Sequence, residues 1–161
     1  MDKKTNKSLF IGGIIIVTLL VVAGFIIRTS QENQESETRV VVQIIDGDTF
    51  MVDTGDYIRL IGVNAPEEDE NFYNESADFL KSLIFLKDIS LEKDKSDKDT
   101  YGQLLRYAYL DYKNGTTISI NQELTRNGYA KPMPVYPDFK YRLEIERAWR
   151  DCLNEGINLC A

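Results

Sequence analysis

The feature that most constrains this 161-residue chain is an apolar run near its N-terminus. Residues 9–27 contain no charged side chain, and a helix of that length, at about 1.5 Å per residue, crosses the hydrocarbon core of a bilayer. A cleaved signal peptide is the competing interpretation, but the run is too long and no small-x-small cleavage site follows it. The sequence therefore predicts an uncleaved transmembrane helix over residues 9–27.

Charges on either side of the run predict its orientation. The basic stub of residues 1–8 contains three lysines, whereas Arg28 is the single basic residue directly behind the run. Because positive residues favour the cytoplasmic side, we expect a single-pass protein with a cytoplasmic N-terminus and an extracytoplasmic C-terminal domain. Residues 28–38 lack aliphatic and aromatic side chains and are expected to form a flexible linker, which leaves residues 39–161 for one globular domain.

The chain contains no histidine, which excludes Ser-His triads, Cys-His dyads and every His-ligated metal site. Cys152 and Cys160 are the only cysteines, and two cysteines alone cannot make a zinc site. Any metal is therefore expected to be a hard cation held by oxygen, such as calcium or magnesium. The two cysteines form either a disulfide, which the predicted compartment permits, or two unpaired buried thiols, and their spacing does not decide between these.

The predicted domain and its linker are strongly acidic. Residues 29–161 carry 25 acidic and 15 basic side chains, a net charge of −10. Such a charge repels nucleic acid at long range unless a local basic patch or divalent cations offset it.

Residue patterns predict five strands and three helices. β-Branched runs bounded by turn residues predict strands over 39–46, 48–53, 57–63, 88–93 and 103–112, with a turn or bulge at Gly47. Apolar spacing and capping residues predict helices over 73–84, over 119–128 with a capping box at Ser119 and Gln122, and after Pro137 with a stripe from Tyr141 to Cys152. This order is compatible with an α+β fold built on a five-stranded OB barrel, and a generic α+β domain is the alternative.

Oxygen ligands and one cation cluster at the predicted strand ends. Asp48 opens one strand, while Asn64 and Glu67 follow the end of another. If these strands are neighbours in a small barrel, the three side chains converge on one rim around a hole that suits calcium, and Arg59 reaches toward the same rim. Taken alone, the Asp-Gly-Asp-Thr segment is more commonly a solvated turn.

In order and spacing, several segments together resemble the staphylococcal nuclease (thermonuclease) family. They are Asp46–Thr49, Arg59–Glu67, Asp99–Leu105, Asn121–Leu124 and Gly128–Ala130. The resemblance covers nearly all of residues 40–155 and implies the OB barrel that the strand order suggests. It also implies a calcium-dependent endonuclease that hydrolyses phosphodiester bonds of DNA or RNA, and no nucleotide cofactor is expected.

The resemblance implies a set of calcium ligands. Asp48 is expected to be one ligand and the Ala65 backbone carbonyl another. Asn64 stands where the family has a second aspartate, so a neutral amide replaces a carboxylate. Weak calcium binding is therefore expected.

The resemblance also implies catalytic and substrate-binding roles. Glu67 matches the carboxylate that orients or deprotonates the attacking water, and Arg59 matches one of two arginines that neutralise the phosphate. Gln103 stands where the second arginine is found, and glutamine brings neither charge nor a bidentate fork. Tyr101 and Tyr136 match residues that contact the bound nucleotide.

Two hypotheses follow for the function. The first is a membrane-anchored, calcium-dependent nuclease, slow because Gln103 and Asn64 replace family residues. The second is a catalytically impaired OB-fold module that binds oligonucleotides or a protein partner. Arg106 is not expected to replace the missing arginine, because residues 103 and 106 of a strand point to opposite faces. The sequence does not specify an oligomeric state.

Overall fold

The structure, a computed structural model, describes residues 36–161. The predicted transmembrane helix over 9–27, the stub 1–8 and linker residues 28–35 lie outside the described residues. Among residues 36–161, no helix is both long and apolar enough to span a membrane.

Eight strands and three α-helices make up this part of the chain. The strands are β1 (Glu37–Ile44), β2 (Thr49–Val52), β3 (Tyr57–Leu60), β4 (Val63–Asn64), β5 (Asp88–Glu92), β6 (Leu104–Asp111), β7 (Thr117–Ser119) and β8 (Lys131–Pro132). The helices are α1 (Tyr73–Ile84), α2 (Ile120–Arg126) and α3 (Arg142–Glu155), followed by a short 3-10 helix (Asn158–Cys160).

Five strands close into a barrel. The main sheet has the order β3-β2-β1-β5-β6-β7, and a parallel pairing of β3 with β6 joins its ends. Strands β1, β2, β3, β5 and β6 therefore form a closed ring, with β7 attached outside it. This arrangement confirms the prediction of a five-stranded OB-type barrel with three helices.

The first strand begins earlier than the sequence predicts. Residues 37 and 38, assigned to the flexible linker, belong to β1 because Glu37 and Thr38 pair antiparallel with Leu91 and Ser90 of β5. Gly47 lies in the turn that joins β1 to β2, which is one of the two predicted alternatives, and a register shift between Val41 and Gln43 adds a bulge inside β1. The domain boundary at residue 39 is therefore two residues too late.

A two-stranded sheet formed by β4 and β8 is absent from the predictions. The predicted strand over 57–63 divides at Gly62, whose φ of +78° suits glycine and turns the chain. Val63 and Asn64 then pair with Pro132 and Lys131 across a long sequence separation. Two-residue strands that pair this way leave no local pattern, so the sequence gives no signal for them.

The core lies inside the barrel and under the helices. Its largest fully buried side chains include Phe50, Ile58, Leu80, Tyr107 and Leu124. The Ser119 side chain accepts a hydrogen bond from the Gln122 backbone N–H at 3.4 Å and caps α2, as the sequence predicts.

A disulfide joins the last helix to the chain's C-terminal end. Cys152 of α3 and Cys160 are bonded, with their Cα atoms 5.9 Å apart. Gly128 lies against this bridge, since a Cβ there would come within 2.9 Å of the Cys152 sulfur.

Candidate active site

One rim of the barrel carries an open cleft of about 320 Å³. It lies where β2 begins, β3 ends and the chain leads into α1. Six of the residues singled out from the sequence line it: Asp48, Arg59, Ala65, Glu67, Tyr101 and Gln103. Asp48, Arg59 and Glu67 therefore lie at one rim, whereas Asn64, which was expected beside them, is not among the residues that line it.

Asp48 is the buried anion of the cleft. Only 4% of the surface of Asp48 is exposed to solvent, and its Oδ2 atom lies 2.6 Å from Arg59 Nη1. The Ala65 backbone N–H donates to the same oxygen at 2.6 Å, and the Thr49 hydroxyl donates to Oδ1 at 3.2 Å. Because both carboxylate oxygens accept hydrogen bonds, the Asp48 side chain is held in one orientation at the base of the cleft.

Gly47 allows this arrangement by letting two segments approach closely. A Cβ at Gly47 would lie 2.6 Å from the Cβ atoms of both Ala65 and Ser76. Any larger residue would push the turn before β2 away from Ala65 and α1. The glycine therefore sets the position of Asp48 relative to the Ala65 backbone.

Asn64 takes a position that its sequence did not predict. It does not line the cleft but bridges two cleft residues: its Oδ1 accepts from Arg59 Nη2 at 2.9 Å, and its Nδ2 donates to the Ala65 carbonyl at 3.2 Å. Asn64 Oδ1 and the Ala65 carbonyl oxygen, two of the atoms that the family resemblance assigns to calcium, thus have protein partners. An aspartate could not donate to the Ala65 carbonyl, so this contact depends on the amide.

Asp46 is a second cleft carboxylate to which the sequence assigned no role. It lines the cleft, and its Oδ1 accepts from the Asp48 backbone N–H at 3.0 Å. Burial raises the pKa of Asp48 to about 7, opposed by Arg59 and the Ala65 N–H and reinforced by the neighbouring Asp46. The sequence signal was present, since Asp46 begins the Asp-Gly-Asp-Thr segment.

The donor set of this rim fits a hard divalent cation. Asp46 and Asp48 are adjacent carboxylates whose mutual repulsion favours an added positive charge, and the Ala65 carbonyl is a further oxygen nearby. Within residues 36–161, no group of three or more carboxylate, histidine or cysteine side chains forms a metal cluster. A cation here would therefore have few charged ligands.

A short turn brings Tyr101 and Gln103 to the cleft. The Asp99 carboxylate accepts hydrogen bonds from the backbone N–H groups of both residues, each at 2.9 Å. Tyr101 is 89% exposed, whereas Gln103 is half-buried. Asp99 therefore shapes the loop that presents an aromatic ring and an amide to anything bound in the cleft.

Arg106 does not reach the cleft, as the sequence predicts. Its guanidinium is buried on the opposite face of β6, where Nη2 lies 3.1 Å from Asp97 and Nη1 donates to the Leu105 carbonyl at 2.8 Å. Gln103 is consequently the residue of this strand end that can face a phosphate.

Tyr136 is not among the residues that line the cleft. It is 83% exposed on the segment between β8 and α3, with its ring 6.2 Å from that of Phe139. Tyr73, the first residue of α1, lines the cleft instead and was not predicted to do so. The path of a loop and the docking of a helix decide these positions, and neither leaves a local sequence pattern.

Comparison with known proteins identifies the family. A family model described as Staphylococcal nuclease homologue matches residues 57–159. The chain belongs to this family. Staphylococcal nuclease relatives include the thermonuclease of Staphylococcus hyicus, 30% identical over 159 residues that cover 88% of this chain and 91% of the relative. Endonuclease YncB of Bacillus subtilis (strain 168) is 33% identical over 155 residues, covering 80% of this chain and 71% of the relative.

The family match includes Arg59 and Glu67, whereas Asp48 precedes its first residue. The thermonuclease of Staphylococcus intermedius, 28% identical over 141 residues, covers 82% of this chain and 81% of the relative. The alignments with these three relatives each cover at least 80% of this chain and at least 71% of the relative.

Proposed function

We propose that this protein is an endonuclease that hydrolyses phosphodiester bonds of DNA or RNA with the help of calcium. The observation that supports this most is the convergence of Asp48, Arg59 and Glu67 on one open cleft. Binding a phosphodiester and activating a water require three groups: an anion that holds a cation (Asp48), a guanidinium (Arg59) and an exposed carboxylate (Glu67). The names of the relatives, thermonuclease and endonuclease, support the same reaction.

Calcium would be held by the carboxylates of Asp48 and Asp46 and by the Ala65 carbonyl. When bound, it would supply positive charge next to the phosphate and lower the cost of the charge that builds there. Asn64 contributes no negative charge, so the affinity is weak and suits a compartment rich in calcium.

Arg59 orients the phosphate in this proposal. Asp48, Asn64 and the Val63 carbonyl hold its two Nη atoms, which fixes the plane of the guanidinium. Its Nε makes no hydrogen bond within the described residues and is free to donate to a phosphoryl oxygen. Because the group is held before substrate binds, little reorganisation is needed as negative charge develops.

Glu67 is the proposed acceptor of the proton from the attacking water. Its side chain is exposed at the cleft, while its backbone N–H is fixed by the Glu70 carboxylate at 2.8 Å. The carboxylate can therefore hold a water against a phosphate bound at Arg59. Gln103 can donate one hydrogen bond to a phosphoryl oxygen but no charge, so we propose a slow enzyme.

A binding module without catalysis is the second candidate. It is favoured by the contacts of Asn64, which engage Arg59 and the Ala65 carbonyl, and by the neutral Gln103. The net charge of −10 on residues 29–161 also weakens capture of nucleic acid. Such a module would bind oligonucleotides or a protein partner and release no product.

We further propose that residues 9–27 anchor the domain to a membrane, with residues 1–8 cytoplasmic, 28–36 a linker and the nuclease domain outside the cytoplasm. This orientation is supported by the three lysines before the apolar run, against one basic residue directly behind it. The disulfide between Cys152 and Cys160 adds support, because such bonds persist in oxidising compartments. A protease added to intact cells should release the domain, and full protection would contradict this orientation.

Hydrolysis is tested with the full chain purified in detergent. Cleavage of labelled single-stranded DNA and of RNA is measured in calcium and in EDTA. We expect cleavage that requires calcium and is lost in Glu67→Ala but retained in Glu68→Ala, which removes a neighbouring exposed carboxylate that does not line the cleft. Binding without cleavage under every condition would favour the second candidate.

A further inference from the structure

The small sheet of β4 and β8 places a lysine opposite Asn64, the residue that bridges two cleft residues. Asn64 is the antiparallel partner of Lys131, and Val63 is that of Pro132. The Met133 N–H donates to the Gly62 carbonyl at 2.8 Å and extends the same pairing by one step. The two residue pairs and this hydrogen bond together fix the register of the two short strands.

The register fixes the side on which Lys131 lies. Residues directly opposite each other in an antiparallel pair have side chains on the same face, with Cβ atoms about 5 Å apart. The Asn64 side chain contacts Arg59 and the Ala65 carbonyl, both of which belong to the cleft. Lys131 therefore lies on the same face of this sheet as Asn64, whose side chain contacts the guanidinium.

Lys131 also forms no ion pair with a carboxylate of the described residues. It is exposed, and its ammonium makes no ion pair or hydrogen bond with the residues that the structure describes. By contrast, Arg59, Arg106 and Lys140 each lie against a carboxylate of the domain. The charge of Lys131 is therefore available to a ligand.

We propose that Lys131 binds a phosphate of the nucleic acid strand adjacent to the phosphate held by Arg59. The domain is acidic and Gln103 brings no charge, so an unpaired cation opposite Asn64 has a large effect on capture of a polyanion. Lys131 is a substrate-binding residue in this proposal and does not touch the reacting atoms. The proposal rests on the proposed function, because it assumes that the cleft binds nucleic acid.

The test compares Lys131→Gln with Lys113→Gln. Lys113 is an exposed lysine in the turn between β6 and β7, without a hydrogen-bond or ion-pair partner among residues 36–161, so both variants change the net charge equally. Binding of a fluorescent single-stranded oligonucleotide is measured by anisotropy with the full chain in detergent, in a Glu67→Ala background that prevents cleavage. Salt is varied and thermal unfolding of each variant is recorded.

We expect Lys131→Gln to weaken binding several-fold and to reduce the slope of log affinity against log salt by about 0.7, one phosphate contact on a single strand. Lys131→Arg should restore both, and Lys113→Gln should change neither. Equal effects of Lys131→Gln and Lys113→Gln, or no binding at all, would overturn the proposal. Cleavage by the protein with Glu67 intact is scored separately, so Lys131-dependent binding without cleavage supports this inference and contradicts hydrolysis.

Discussion

Arg59 Nη1 lies 2.6 Å from Asp48 Oδ2, so the cation proposed to bind the phosphate is paired with the buried carboxylate proposed to hold calcium. Asn64 Oδ1 accepts from the other Nη atom of the same guanidinium at 2.9 Å. The position of Arg59 therefore depends on Asp48 and Asn64, and a change in any of the three residues should affect the other two.

Arg59→Lys should reduce the cleavage rate by about 10²-fold or more, because lysine keeps the charge but cannot contact Asp48, Asn64 and a phosphate at once. The single-turnover rate at saturating substrate measures this loss. Lys81→Arg, a swap on an exposed residue of α1, is the matched control and should leave the rate unchanged. An unchanged rate in Arg59→Lys would contradict the role of the guanidinium.

Gln103→Arg should raise the cleavage rate by about 10²-fold, since it adds a preorganised charge on the phosphate where the cleft has a neutral amide. The turnover number at saturating calcium measures the gain. Gln43→Arg adds the same charge at an exposed position of β1 that does not line the cleft, and it should have little effect. Equal rates for the two variants would mean that residue 103 does not face the scissile phosphate.

Asn64→Asp should tighten calcium binding by about tenfold, because it adds a charged ligand and removes the amide that donates to the Ala65 carbonyl. Isothermal titration calorimetry measures this change without reference to activity. If the variant binds calcium no better than the unchanged protein, residue 64 does not contribute to the cation site.

The raised pKa of Asp48 gives stability a dependence on pH when no metal is present. Burial raises this pKa from its ordinary value of 3.8 to about 7, so the folded protein binds a proton that the unfolded chain releases between these values. The free energy of unfolding in EDTA should therefore fall as the pH rises from 4 toward 7, by on the order of 1–3 kcal/mol. Urea unfolding at pH 5 and pH 7.5 measures it.

Asp48→Asn is the control for this pH dependence. Asparagine cannot titrate, so the variant should lose the part of the slope that Asp48 supplies, whatever its absolute stability. A slope that is the same with and without Asp48 would show that its carboxylate stays ionised throughout the range.

Much of the barrel could be predicted because its strands and helices carry local patterns. The β-branched runs, the Ser119 cap and the helical spacing before Ile84 each mark an element, and their order matches the closed sheet. The β4–β8 pairing could not be predicted, since Asn64 and Lys131 meet only through the folded chain. That pairing is also what places Lys131 opposite Asn64.

The site was predicted in part for the same reason. Asp48 directly precedes β2, Arg59 lies near the end of β3 and Glu67 follows β4, so the barrel itself brings them to one rim. The bridging contacts of Asn64 depend on the orientation of an amide between two tertiary neighbours, which spacing along the chain does not determine. Tyr136 lies outside the cleft lining because the segment before α3 takes its own path.

This rim is, in our proposal, a calcium-dependent phosphodiesterase site built on Asp48. Its most direct test is the initial rate of DNA cleavage as a function of calcium concentration, for the unchanged full chain and for Asp48→Asn. We predict a rate that is zero in EDTA and saturates with calcium, and a curve for Asp48→Asn shifted at least tenfold to higher calcium or abolished. Cleavage that proceeds in EDTA, or two superimposable curves, would contradict the claim.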